Sequence, residues 1–216
     1  MTKLSGKVKS RSRRKKNIEQ KNRLKRYKTN LISKIKTFND PVLLEECNNI
    51  EEKEILSSII QDNLKLMGKV LAATETGVGL AAPQIGFTKR IFALRPDPKV
   101  NDISFFINPE IIEYSKEKQS GIEGCLSYPD VFVPVERYKD IKIKYLDREG
   151  NKKIKKFDEK ESVIVQHELE HFLFGPCFVG EAWKKGKFKV EKEIKRKGEK
   201  KKNELSKVWG KNDRKR

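Results

Sequence analysis

Positive charge is gathered at the two ends of this chain, and that confines any folded core to the middle. Residues 1–30 hold 13 Lys/Arg against one acid, Glu19, for a net charge of +12. Residues 184–216 hold 16 against 5, a net of +11, and with +19 on the whole chain the span 31–183 is left at −4. Ends so basic and so poor in apolar residues cannot bury enough surface to offset the entropy lost on ordering. Alone they are expected to be solvated or only partly helical. The partner that matches them is a polyanion, RNA or a ribosome surface before an anionic membrane, with a bare solubility role as the plain alternative. For 216 residues the expectation is one domain over 31–183, between a basic N-terminal extension and a basic C-terminal tail.

No stretch approaches the ~20 apolar residues of a membrane span. The basic N-terminus also lacks the apolar run of a secretory signal. Cys47, Cys125 and Cys177 are an odd number of cysteines, so the expected setting is a reducing, cytoplasmic one in which thiols are free or act as ligands. An Arg-containing, acid-poor N-terminus keeps organellar import as the alternative.

Within the middle span, Leu56, Ile59, Ile60, Met67, Val70 and Leu71 recur at spacings of three and four, which predicts an amphipathic helix over 51–71. Short β-like runs follow at 90–94, 104–107, 131–135 and 141–146. Turn elements such as Asn108-Pro109 and Asp147-Arg148-Glu149-Gly150 separate them. A helical pattern returns at Asp158-Glu159, with acids complementing its dipole, and is stopped by Gly175-Pro176. The order predicts an α+β fold, with mostly antiparallel sheet wrapped around the last of these helices.

That helix carries both histidines of the chain, in the pentapeptide His167-Glu168-Leu169-Glu170-His171. A separation of four places the imidazoles on one face about one turn apart, where two can grip one cation. Glu168 lies beside the first and can take the proton of an attacking water. HExxH can also arise by chance as a surface pair, but histidine is absent everywhere else. A catalytic site usually has three protein ligands, and Cys125, Cys177 and Glu181 are all candidates for the third; spacing does not choose among them. A thiolate would favour iron or zinc over magnesium or calcium. Cys47 reads as a structural or loop thiol. In the segment 77–86, Gly77 and Gly79 allow close approach of a peptide and Gln84 offers an amide as an oxyanion donor. No GK[ST] follows, which argues against phosphate binding.

Taken together, three segments closely resemble the peptide deformylase family. Its GxGxAAxQ motif is met by Gly77, Gly79, Ala81, Ala82 and Gln84. Its EGCLS motif stands as Glu123-Gly124-Cys125-Leu126-Ser127, and its QHExxH motif as Gln166 through His171. Asp40-Pro41-Val42-Leu43 and Val135-Glu136-Arg137 add to the likeness, which spans roughly residues 35–180. The resemblance implies Cys125 as third ligand beside His167 and His171, Glu168 as general base, and Gln84 with the Leu126 N–H as oxyanion donors. It implies substrate binding by Val78, Gly79, Gly124 and Val163, with backbone around Gly79 pairing with the peptide and Val78 and Val163 forming a methionine pocket. The implied metal is Fe2+, with Zn2+, Ni2+ or Co2+ as substitutes, and the substrates are N-formylmethionyl nascent peptides met by a monomer. There are departures. Glu170 stands where the family usually has Asp, so a shift is expected around His171. Lys160, Glu161 and Ser162 stand where relatives are often apolar. Phe172-Leu173-Phe174-Gly175 is one residue longer than the usual Leu-x-Gly. A zinc endopeptidase would share HExxH but not EGCLS. An RNA-binding protein on an inactive scaffold would not need Gln84, Cys125 and Glu168 together.

Overall fold

The run Ile91–Leu94 is apolar at every position because both of its faces are covered. Ile91 and Ala93 join one core with Leu80, Ile107, Leu64, Met67 and Val70, whereas Phe92 and Leu94 join another with Ala81, Phe106, Ile143 and Val165. Strand side chains alternate between faces, so a strand between two helical layers reads as a continuous apolar run.

The structure, a computed structural model, describes residues 4–190 apart from 39, 101 and 174. The chain opens with α1 (Leu4–Ile32) and α2 (Ser58–Ala73), then β1 (Gly79–Ala81), β2 (Ile91–Leu94), β3 (Ser104–Tyr114), β4 (Lys118–Cys125), β5 (Tyr128–Tyr138), β6 (Ile141–Leu146) and β7 (Lys152–Phe157). It closes with α3 (Glu159–Glu170), α4 (Phe178–Lys184) and β8 (Lys189–Val190). One five-stranded sheet runs β1-β2-β3-β6-β7 and a three-stranded sheet runs β4-β5-β8, all pairs antiparallel. The class is α+β. The first core lies between α2 and one face of the larger sheet, and the second between the other face and α3. A third core packs α4 on the smaller sheet through Tyr128, Val131, Val133, Cys177 and Val179.

Several sequence expectations are corrected. The amphipathic helix begins at Ser58, where the Ser57 hydroxyl caps the Ile60 N–H at 3.4 Å. Leu56 and Ile59 are therefore not on its core face and are 70% and 68% exposed, while Leu64, absent from the predicted stripe, is buried. β4 and β7 carry too few apolar residues to read as strands in KQSGIEGC and KKIKKF. β3 and β5 each run to 11 residues, well past the predicted runs. α3 ends at Glu170, before Gly175-Pro176, and Gly175 takes a positive φ of 100° in the turn beyond.

The basic N-terminus, expected to be solvated or partly helical, is continuous helix through α1, and residues 16–30 are exposed throughout. Only at Leu31 and Ile35 does it enter the α2 core. Lys189–Val190, within the charge-defined C-terminal tail, pairs with Val131 and Phe132 of β5. Residues 191–216 of the basic tail lie outside the described residues, as does Phe174. Among the described residues no helix is long and apolar enough to cross a membrane.

Candidate metal centre

α3 presents His167 from its last turn and His171 from the residue just past its end, with ring centroids 5.3 Å apart. Against them comes Cys125, at the end of β4. There Gly124 faces Phe132 but Cys125 faces Tyr128, and this irregularity of the ladder turns the cysteine toward the helix. Cys125 Sγ lies 3.3 Å from His171 Nε2. Cys177, which the resemblance sets aside, joins them from the residue before α4. Donor atoms of Cys125, His167, His171 and Cys177 all lie within 4.8 Å of one another, and all four residues are buried. Two imidazoles and two thiols converging in this way fit a borderline-soft divalent cation such as zinc or ferrous iron.

The His167 ring is held by a carboxylate. His167 Nδ1 is 3.0 Å from Glu123 Oε2, which leaves Nε2 as the nitrogen free to ligate. Glu123 is itself gripped by Arg137 through Nε at 2.8 Å and Nη2 at 2.9 Å, and Arg137 also pairs with Glu170 through Nη1. Glu170 further accepts the Phe178 N–H at 3.0 Å. The Glu-for-Asp exchange therefore bears on Arg137 and on the start of α4, where a shift around His171 was expected. Glu123 and Arg137 side chains are only 6% and 11% exposed, so removing one partner would strand a buried charge, at a cost of about 3–5 kcal/mol. The Cys47 thiol donates to the His171 carbonyl at 3.7 Å, in keeping with a structural thiol.

Protonation follows from these contacts. Burial works against a charged His167, but the Glu123 hydrogen bond and the Glu168 charge outweigh it and hold the imidazole up at about 9. Burial, with His167 alongside, pushes His171 well below its usual value, so it stays neutral. Burial tends to raise Glu123, yet Arg137 and His167 bring it down to about 2. Burial and Cys177 hold the Cys125 thiol well above the ordinary range, whereas contact with Cys125 lowers Cys177 to about 7. A cation would reverse this for Cys125, since coordination takes the thiol proton outright.

Glu168 is 4% exposed, and burial raises its carboxyl to about 7. Its Oε2 is the one buried side-chain oxygen or nitrogen without a hydrogen-bond partner among the described residues. The side chain lies over Gly79: a Cβ there would come within 2.7 Å of Glu168 Cδ. Gln84, 1% exposed, is fixed by the Ala81 N–H on its Oε1 at 2.8 Å. Its Nε2 then points to Ser127 Oγ at 3.1 Å and Cys125 Sγ at 3.4 Å. Leu126 follows Cys125, and its side chain packs into the α2 core. Gly79 opens β1, the edge strand of the larger sheet. Val78 and Val163 are half-buried, and Gly124 is exposed on β4. The loop before β1 is pinned by the buried Arg95, which donates to the Gly77 carbonyl at 2.7 Å and the Thr74 carbonyl at 3.1 Å.

Sequence reasoning gave no role to Ser127, Arg95, Arg137 or the Glu123 carboxylate. For Glu123 a signal was at hand: a ligating imidazole needs an acceptor for its second ring nitrogen, and EGCLS supplies an acid two residues before the cysteine.

The polypeptide deformylase family model matches residues 32–187. The peptide deformylase of Pseudothermotoga lettingae is 39% identical over 166 residues, covering 76% of this chain and 91% of that protein. That of Brachyspira hyodysenteriae is 37% identical over 176 residues, covering 76% and 88%. Among solved structures, the Met-Ala-Ser-bound class I type b peptide deformylase from Acinetobacter baumannii superposes with a TM-score of 0.61 at 32% identity, covering 67% of this chain and 94% of that one. The Thermotoga maritima peptide deformylase gives 0.59 at 32%, covering 66% and 92%. Both the site built by Cys125, His167, Glu168 and His171 and these likenesses lead to one conclusion: the chain belongs to the peptide deformylase family, metal-dependent hydrolases that act on formylmethionyl peptides.

Proposed function

We propose that this chain removes the formyl group from N-terminal formylmethionine of newly made polypeptides, with Cys125, His167 and His171 as the ligands of one Fe2+ and Glu168 as the general base. One observation carries the assignment of roles: Glu168 Oε2 is buried without a partner, close enough to His167 and the cysteines to feel their charges. That is an acceptor kept free for an incoming water.

Cys125, His167 and His171 would hold the divalent cation, which when bound would supply Lewis-acid activation and lower the pKa of a water. Glu168 takes the proton of the attacking water as the water oxygen adds to the formyl carbon. Gln84 Nε2, whose orientation Ala81 fixes, and the Leu126 N–H donate to the oxyanion that develops. One such donor is typically worth about 3–4 kcal/mol. Glu168 then returns the proton to the amine as the C–N bond breaks, giving formate and a free N-terminus. The edge of β1 at Gly79, with Gly124 on β4, offers backbone to an extended peptide. Val78, next to Gly79, and Val163 of α3, both half-buried, serve in this reading as apolar contacts for methionine. A Met-Ala-Ser peptide bound to the Acinetobacter baumannii relative supports a methionine-first substrate here.

The basic ends serve the same substrate from a distance. α1 carries like charges that repel along its length, and phosphate relieves that repulsion, so a ribosome or rRNA surface is the partner that fits. Three free buried cysteines fit a reducing cytoplasm, and the chain is read as a monomer. The deciding assay is formate release from formyl-Met-Ala-Ser against unformylated Met-Ala-Ser, with metal content measured on the same sample. Cleavage of internal peptide bonds without formate would replace this reading by an endopeptidase.

A further inference from the structure

Cys177 reaches the metal centre although the family pattern gives it no part there. Cys125 arrives from the end of β4, His167 from α3, His171 from just past its end, and Cys177 from the residue ahead of α4. In a tetrahedral centre with metal–sulfur distances of ~2.3 Å and metal–nitrogen distances of ~2.0–2.1 Å, ligand atoms stand roughly 3.4–3.8 Å apart. The Cys125 Sγ to His171 Nε2 distance of 3.3 Å is close to the lower end of that range. With all four donor atoms inside 4.8 Å of one another, small side-chain shifts bring Cys177 Sγ onto the same ion.

Packing alone does not account for the residue. Cys177 shares its core with Val131, Val133, Val179 and Ala182, where valine or alanine would fill space as well. Neither would set a second sulfur within 4.8 Å of Cys125 and both histidines. We propose that Cys177 is a second thiolate ligand, so that the resting centre is Cys2His2. The inference rests on the metal-centre reading above and adds one ligand to it. On coordination the Cys177 thiol would give its proton to solvent, and its sulfur would take the place of a water on the ion. Four protein ligands fill a tetrahedral shell, whereas a working catalytic site keeps one position open. Cys177 would therefore hold the metal at rest and would have to leave it before water and the formyl group could both enter. A second sulfur also favours zinc and ferrous iron further over harder ions.

X-ray absorption on the full, zinc-loaded chain tests this without a mutation. Two sulfur and two nitrogen scatterers are expected, with sulfur at ~2.3 Å. One sulfur with lighter atoms alone removes Cys177 and leaves the three-ligand reading standing. A chain that takes up no divalent ion removes both. Cys177→Ala and the bulkier Cys177→Val, each checked for native circular dichroism, give a second measurement. In the cobalt-loaded variants the thiolate-to-metal charge-transfer band should fall by about half, one sulfur of two. Chelator competition should show affinity weakened at least ~10-fold. Bands and affinities equal to those of the unaltered chain overturn the proposal.

Discussion

Glu168 combines burial with an unsatisfied oxygen, and its titration can be followed from outside. In the metal-free site burial raises its carboxyl to about 7, with Cys177 and Glu123 adding to the shift and His167 opposing it. A cation alongside draws it down, so the carboxylate is the form present at neutral pH. kcat/KM should therefore fall on the acid side with an apparent pKa at or below about 7. Glu168→Gln should keep its metal and lose ~10²–10⁴ in rate, as general bases do. An unchanged kcat would take Glu168 out of the mechanism. His167 gives a second pH signature, this time in stability. In the metal-free chain its folded pKa of about 9 lies above the usual 6.5. The stabilisation is then complete below pH 6.5 and lost as pH rises through about 9. Coordination needs the neutral imidazole and gains from the same loss of protons. The gap in Tm between metal-loaded and metal-free protein should widen across that range, and a constant gap would contradict the assignment. HExxH and EGCLS made His167, His171, Glu168 and Cys125 legible because each motif is a short stretch of chain. Cys177 was legible only as one candidate ligand among three and Arg137 not at all, since their places depend on how α4 and β5 meet those stretches in space.

β1 is the element where fold and chemistry meet. Alternation puts Leu80 into the α2 core and sends Gly79 and Ala81 to the α3 face, where Gly79 lies directly beneath Glu168. A side chain in place of the glycine would therefore collide with the Glu168 carboxyl. Gly79→Ala should retain metal and fold but lose about 10²-fold in kcat, the cost of moving a reacting group by roughly 1 Å. Metal loss in that variant, or wild-type turnover, would separate Gly79 from Glu168. Element positions were readable in the sequence wherever a strand had one or two buried faces, as with β2 and β6. They failed where charge dominates: β7 is mostly lysine because it closes the edge of the sheet, the usual defence against edge pairing. The helix periodicity carried past its true start because Leu56 and Ile59 fit the spacing, while the Ser57 cap decides where helix begins.

On the scale of the whole molecule, the basic ends join the catalytic body through a few residues that bear on the site. The Lys36 N–H donates to the Gln84 carbonyl at 2.7 Å, and the Phe38 N–H to that of Ser127 at 3.1 Å. Trimming has to stop short of Leu31 on one side and of β8 on the other. A chain lacking residues 1–28 and 191–216 should keep kcat/KM on a short formyl-methionyl peptide and lose ribosome binding. Binding by the intact chain should weaken steeply as salt rises. Salt-independent binding, or activity that collapses with the ends, would make them part of the site. Charge showed from sequence that the ends differ from the body, but not that the first of them is one rod. At 1.5 Å per residue, the 29 residues of α1 extend about 43 Å, as far as the roughly 40 Å diameter of the body they leave. Over residues 16–30 water reaches every side of that rod. A sphere with such an arm drags more solvent than a sphere of equal mass. A single 25.1 kDa chain should leave a gel-filtration column early while light scattering returns the mass of one chain, and elution volume taken alone would count one molecule as two.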